Sequence, residues 1–255
     1  MSPTFSRPFL SIVIPAYNEE ARLEATLSKI AAYLSAGGLD AEILVVDDGS
    51  KDKTAEVATR SLAGRRGRVI SYAENRGKGY AFRRGVLESQ GRFVLVSDAD
   101  LSTPIEDHAK LWTAIRDRDL DVVIGSRALP GSDVSVPQGW LRQSMGKTFN
   151  AIIRIATGLP FRDTQCGFKL MDRERVLPLV EKMVIDGFAF DVELLFLCAR
   201  FGLSAADVPV TWRNATGSKV SIVGDPLKMI ADVLRVRWRS RRGLYNPDTG
   251  AAGAS

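Results

Sequence analysis

Phe93-Val94-Leu95-Val96-Ser97-Asp98-Ala99-Asp100 is a short apolar run closed by two carboxylates. Four apolar residues suit a buried strand better than a helix, and the polar residues that follow mark its end. The same grammar recurs along the first half of the chain. Strands are expected at Leu10 to Ala16, Glu42 to Asp47, Arg68 to Tyr72, Phe93 to Ser97 and Val122 to Gly125. Helical periodicity fills the intervals at Glu20 to Leu34, Thr54 to Ser61, Tyr80 to Ser89 and Pro104 to Asp117, with Asn, Asp, Ser or Thr available as caps. Alternation of this kind predicts an α/β fold, a mostly parallel sheet flanked by helices.

Such sheets bind ligands beyond the carboxyl ends of their strands. Five loops carry polar residues to that edge: Tyr17, Asn18 and Glu19; Asp47 and Asp48; Asn75 to Gly79; Asp98 to Asp100; and Ser126 with Arg127. Asp98 and Asp100 repel one another unless a cation lies between them. A hard divalent ion, Mg²⁺ or Mn²⁺, takes carboxylate oxygens and keeps positions for a diphosphate. The glycines of Asn75-Arg76-Gly77-Lys78-Gly79 are expected to permit close backbone approach, with Lys78 meeting a phosphate, although the spacing fails the dinucleotide fingerprint.

The 255 residues are 45% hydrophobic and 25% charged, with a net charge of +5, which suits a globular domain. A single domain over residues 1–245 is expected, followed by a disordered tail at 246–255. The second half is less regular. Helices are expected near Leu141 to Thr157 and at Phe190 to Phe201, a strand at Ala206 to Trp212, and a basic amphipathic helix at about 226–242.

Two distant cysteines, Cys166 and Cys198, argue against a disulfide framework, and His108, the single histidine, leaves little scope for Ser-His or Cys-His chemistry. No apolar stretch is long enough to span a bilayer, so membrane association is expected to be peripheral. The last helix presents Leu227, Ile230, Val233 and Leu234 as an apolar stripe beside Arg235, Arg237, Arg239, Arg241 and Arg242, helped by Leu141, Met145 and Phe149. That arginine cluster lacks interleaved aromatics beyond Trp238, which argues against a nucleic-acid partner.

The ordered motifs SIVIPAYNEE (11–20), ILVVDDGSKDKT (43–54), NRGKGYAFRRG (75–85), VSDADLSTP (96–104), VIGSR (123–127) and DTQCGFK (163–169) together resemble family 2 glycosyltransferases of GT-A fold. The resemblance is strongest to the dolichyl-phosphate glucosyltransferase and mannose synthase branch. It implies a cytoplasmic-facing enzyme that transfers a hexose from a nucleotide sugar to a polyprenyl phosphate with inversion. Glucose from UDP-glucose is favoured over mannose from GDP-mannose.

By that resemblance Pro15, Tyr17, Glu19, Asp47 and Asp48 surround base and ribose, and Asp98 and Asp100 hold the metal and diphosphate. Arg127, Arg142, Arg213, Ser218 and Lys219 form an acceptor-phosphate pocket, a task suited to guanidinium groups. Asp191, in Gly187 to Glu193, falls where the family places a functional carboxylate, or else caps a helix. A phosphate monoester is largely dianionic at neutral pH, so it needs no general base. Ser102 stands where related mannose synthases can carry a further Gln ligand, leaving water to complete coordination. A hydroxyl acceptor, which would require Asp191 as base, and a noncatalytic nucleotide-sugar or membrane-binding module remain as alternatives.

Overall fold

The computed structural model describes residues 7–134, 150–151, 153–213 and 224–246. Strands β1 (Leu10–Ala16), β2 (Ala41–Asp47), β3 (Gly67–Ser71), β4 (Phe93–Val96), β5 (Val122–Ser126), β7 (Lys169–Asp172) and β8 (Ala205–Pro209) form one sheet in the order β3-β2-β1-β4-β7-β5-β8. β7 alone runs antiparallel, between β4 and β5. The short strands β6 (Asp133–Val134) and β9 (Thr211–Trp212) pair separately.

Side chains alternate across the pleat, so each strand feeds two cores. Val13, Leu44, Val46 and Val96 face a layer containing α3 (Lys78–Glu88), α5 (Arg173–Val180), α6 (Phe190–Arg200) and α7 (Gly224–Arg241). Ile12, Ile14, Ile43, Val45 and Leu95 face α1 (Glu20–Ala36), α2 (Thr54–Leu62) and α4 (His108–Asp117). Burial on both faces explains the nearly continuous apolar runs of β1 and β2.

Pro15 lies inside β1 opposite Val46. The register with β4 stops at Val13 and Val96, so the missing N–H at Pro15 breaks no bond on that side.

The first five expected strands are present to within a residue or so at each end, and the helices between them follow. The predicted strand at 206–212 is broken at Val210 into β8 and β9. β7 and α5 were not anticipated from sequence. The expected caps are mostly absent: α1 to α4 have no side-chain cap bond, whereas Asp172 caps α5 by accepting from the Glu174 and Arg175 N–H groups. Of the helix expected at Leu141 to Thr157, residues 150–151 and 153–157 are helical and the earlier part lies outside the described residues. The tail from 247 onward also lies outside them. Cys166 and Cys198 are buried and unpaired. Among the described residues no helix is long and apolar enough to cross a membrane.

Candidate active site

Strand order reverses between β1 and β4, which places a crevice at their carboxyl ends. Asn18, at φ 52°, adopts the left-handed conformation that Asn tolerates, and its turn is tied to the β2 loop. Its N–H donates to Ser50 Oγ at 2.8 Å, and its Oδ1 accepts from the Lys51 N–H at 2.8 Å. The Glu19 N–H donates to Thr54 Oγ1 at 2.7 Å, so Thr54 serves the neighbouring loop. Tyr17 and Glu19 are half-buried at this edge.

Asp47 and Asp48 do different work. Asp47 Oδ1 accepts from the Ser50 N–H and closes the turn. Asp48 accepts from Tyr72 Oη, Asn75 Nδ2 and the Arg76 N–H, each at 2.8 Å, and from the Gly77 N–H at 2.9 Å. A carboxylate accepts about four such bonds. The sequence reading grouped Asp48 with base and ribose contacts, but its acceptor sites are filled by the protein, and it organises the 75–77 loop.

The glycines of that loop do permit close backbone approach, and the backbone that approaches is the protein's own. A Cβ on Gly77 would lie 2.4 Å from the Asp186 carbonyl oxygen, and one on Gly79 would lie 2.4 Å from that of Ile185. They admit the backbone of the 185–187 segment. The Gly79 and Tyr80 N–H groups donate to the Asp186 carbonyl at 2.8 and 3.2 Å, and Arg83 grips Met183 O and Asp186 Oδ1.

This seating delivers Lys78 to Asp98, with Nζ 2.6 Å from Oδ1. Burial pushes the Asp98 carboxyl up, but Lys78, then Lys169 and Arg127, more than offset it, and the net shift is downward. Burial likewise pulls Lys78 down while Asp98, Asp191 and Asp100 carry it upward. The Ala99 carbonyl accepts from Thr26 Oγ1 at 2.7 Å, and Leu101 follows at φ 47°, a left-handed position costing about 1–2 kcal/mol for a residue with a side chain. Asp100 Oδ1 accepts from the Ser102 N–H at 2.9 Å. Arg22, which the sequence reading missed, lies 2.8 Å from Glu19 Oε2 and 3.8 Å from Asp100 Oδ2.

On the far side of Asp98, a Cβ at Gly167 would lie 2.3 Å from Oδ2, so this glycine lets the 163–169 segment pack on the carboxylate. Lys169, 1% exposed at the head of β7, reaches Asp191 Oδ1 at 2.6 Å and donates to the Cys166 carbonyl. Asp191 is inside the first turn of α6, whose N-cap is Ala189, so it is not the cap. Burial pushes its carboxyl up against the pull of Lys169 and Lys78. Lys169 was not singled out from sequence, although a lysine between Cys166-Gly167-Phe168 and Leu170-Met171 is itself a signal, because unpaired buried lysines are rare.

Arg127 is held by the buried Asp163: Nε to Oδ2 at 2.7 Å, Nη2 to Oδ1 at 3.0 Å, and the Arg127 N–H to Oδ2 at 3.1 Å. Burial opposes both charges, but their attraction prevails, lowering Asp163 and raising Arg127. The exposed Arg213 enters beside the Asp100 turn, its N–H donating to the Ser102 carbonyl at 2.7 Å. Arg142, Ser218 and Lys219 lie outside the described residues. His108 is buried on the other face of the sheet, with Nδ1 3.1 Å from Tyr33 Oη, away from these groups.

Among the described residues no group of three or more His, Cys, Asp or Glu could hold a metal. Asp98 and Asp100 nonetheless supply hard oxygens, with side chains 33% and 27% exposed. That donor set fits a cation that retains water and phosphate ligands.

A model of glycosyl transferase family 2 matches residues 11–176. The dolichyl-phosphate beta-glucosyltransferase of Drosophila melanogaster is 37% identical over 92% of this chain and 76% of its own length. The Homo sapiens enzyme of that name is 34% identical over 92% and 77%. Among solved structures, glucosyl-3-phosphoglycerate synthase from Mycobacterium tuberculosis in complex with Mn²⁺, UDP-glucose and phosphoglyceric acid aligns with a TM-score of 0.67 and 24% identity, covering 97% of this chain and 84% of that one. Mannosyl-3-phosphoglycerate synthase from Rubrobacter xylanophilus gives 0.67 at 22%, over 97% and 79%. With the family model covering more than half of its residues and these relatives aligned over most of its length, the chain belongs to glycosyl transferase family 2.

Proposed function

We propose that this protein is an inverting hexosyltransferase that moves glucose from UDP-glucose to the phosphate of a dolichyl or other polyprenyl phosphate. The supporting observation is the similarity, over more than nine-tenths of the chain, to relatives named for that transfer, such as the Drosophila and human enzymes.

An acceptor phosphate oxygen attacks the anomeric carbon as the bond from that carbon to the diphosphate breaks, releasing UDP. The acceptor is already an anion, so no proton must leave in the step. Tyr17, Glu19 and Asp47 border the nucleoside, and Asp48 shapes the loop beneath it. Lys78 transfers part of its attraction from Asp98 to the incoming diphosphate. Arg127, oriented by Asp163, and Arg213 face the acceptor phosphate, with Arg142, Ser218 and Lys219 assigned to the same pocket by family resemblance. Asp191 holds Lys169 and does not act as a base, because its carboxylate is already paired at 2.6 Å.

Mg²⁺ or Mn²⁺ on Asp98 and Asp100 would supply charge stabilisation to the leaving diphosphate. The neighbouring solved structure with Mn²⁺ and UDP-glucose supports this cofactor class through the shared fold. The enzyme acts peripherally at a membrane, on the cytoplasmic face that the family resemblance implies.

The test incubates purified protein with UDP-glucose or GDP-mannose, Mg²⁺ or Mn²⁺, and a short-chain polyprenyl phosphate. Lipid-linked glucose from UDP-glucose is the expected product. Transfer to no lipid phosphate from either donor would refute the proposal, and transfer only to a hydroxyl acceptor would require Asp191 to be reassigned.

A further inference from the structure

Helix α7 separates its apolar residues onto opposite faces. Met229, Val233 and Val236 are buried in the core, whereas Leu227, Leu234 and Trp238 are 67%, 59% and 53% exposed. At about 100° per residue, the three exposed side chains fall within an arc of about 40°, opposite the buried set. The stripe expected from sequence is thereby corrected, since Val233 turns inward and Ile230 is half-buried. Exposed Arg241 flanks the outward row on one side, and exposed Arg235 and Lys228 flank it on the other.

A second segment is tied to this helix. The Arg237 guanidinium donates to the Ala156 carbonyl and ties residues 153–157 to α7, and the neighbouring Ile155 is 83% exposed. Leu244, just beyond the helix, is 49% exposed. Among the described residues, these five are the exposed large hydrophobics. Isolated exposed apolar residues are ordinary, but their concentration on one helix and the segment tied to it is not. Residues 224–246 also carry six basic side chains against two acidic ones.

We propose that this face docks on an anionic lipid bilayer. Helix α7 lies in the plane of the interface, Leu227, Leu234 and Trp238 enter the boundary between headgroups and acyl chains, and the flanking arginines meet lipid phosphates. Charge decides the occupant. A second copy of the chain would bring the same basic row against itself across a two-fold interface, whereas anionic headgroups neutralise it. The purpose of the surface rests on the function proposed above, because a polyprenyl phosphate presents its phosphate at such a boundary.

The test sediments the purified full chain with vesicles of phosphatidylcholine alone or mixed with phosphatidylglycerol, all free of polyprenyl phosphate. Binding to the anionic vesicles that weakens in high salt is expected. Each of Arg235→Gln and Arg241→Gln should lower partitioning about fivefold. Leu234→Asp combined with Trp238→Asp should abolish binding while preserving the thermal midpoint and transfer to a short, water-soluble acceptor. Failure of the wild type to bind, or full binding by the double variant, would overturn the proposal. So would concentration-dependent dimerisation that the double variant removes without any vesicle binding by the wild type. Vesicle binding without any sugar transfer would leave the surface standing and refute the functional reading alone.

Discussion

Tyr245 donates its phenolic hydrogen to Glu193 Oε1 at 2.6 Å, and both residues are fully buried. Glu193 also accepts from the Val184 and Ile185 N–H groups, and the next residue, Asp186, seats the Gly79 and Tyr80 N–H groups at the head of α3. The turn after α7 is therefore fastened to the segment on which the Lys78 loop rests. Burial pushes the Glu193 carboxyl above its ordinary range, so it depends on its donors. Tyr245→Phe keeps the ring and removes one donor. The expected loss is about 1–3 kcal/mol of stability, read as a lower urea midpoint at unchanged slope. An unchanged midpoint would show that the bond contributes nothing net.

The Lys78 to Asp98 contact at 2.6 Å predicts a kinetic effect larger than its structural one. Lys78→Met removes the cation bonded to Asp98 and takes it from the expected position of the leaving diphosphate. The kcat/KM for UDP-glucose should fall by about 10²–10³, the usual effect of removing one aimed donor to developing charge. Circular dichroism should remain that of wild type. A fall below threefold would take Lys78 out of the donor site.

The parts of this site legible in sequence are those whose signal is local. An apolar run ended by Asp47-Asp48 or Asp98-Ala99-Asp100 announces both a strand and its functional edge. The partners of those residues were not legible, because they come from distant segments. Nothing near Asp48 in sequence says that the Asn75 to Gly77 loop fills its oxygens, nor does Gly77 reveal that it makes room for Asp186. β7 escaped notice because Lys169–Asp172 is four residues long and charged at both ends. The ion pair with Asp191 and the bond to the Cys166 carbonyl explain that lysine. The apolar residues of α7 follow helical periodicity, but the side turned to the core is decided by packing.

Asp163 and Arg127 give a test that separates affinity from turnover. Asp163 is 2% exposed on its side chain and holds a guanidinium that is 34% exposed. With Asp163→Ala, solvent still screens Arg127, so the stability loss should be about 1–3 kcal/mol and not the larger loss of a fully buried broken pair. The freed guanidinium loses its fixed orientation. The KM for a short-chain polyprenyl phosphate should therefore rise about tenfold or more, with kcat changing less. A fall in kcat at constant acceptor KM would contradict a role in holding the acceptor.

His108 predicts how stability depends on pH. The ring is 4% exposed, touches Tyr33 Oη through Nδ1, and burial lowers its pKa to about 4 from an ordinary 6.5. Above about pH 8 the ring is neutral in both folded and unfolded chains and contributes no slope. As pH falls through 6.5, the unfolded chain takes a proton that the folded chain refuses until about 4. Stability must then decline across that window, by up to about 1.4 kcal/mol per pH unit, reaching about 3 kcal/mol at its lower end. Carboxylates titrate over part of the same range, but their contribution is common to wild type and His108→Gln. Because His108 is the chain's single histidine, the difference between their urea-derived stability curves isolates the ring. The variant should lose less stability than wild type between pH 6.5 and 4; parallel curves there would mean that the imidazole protonates as readily in the folded protein as in the unfolded chain.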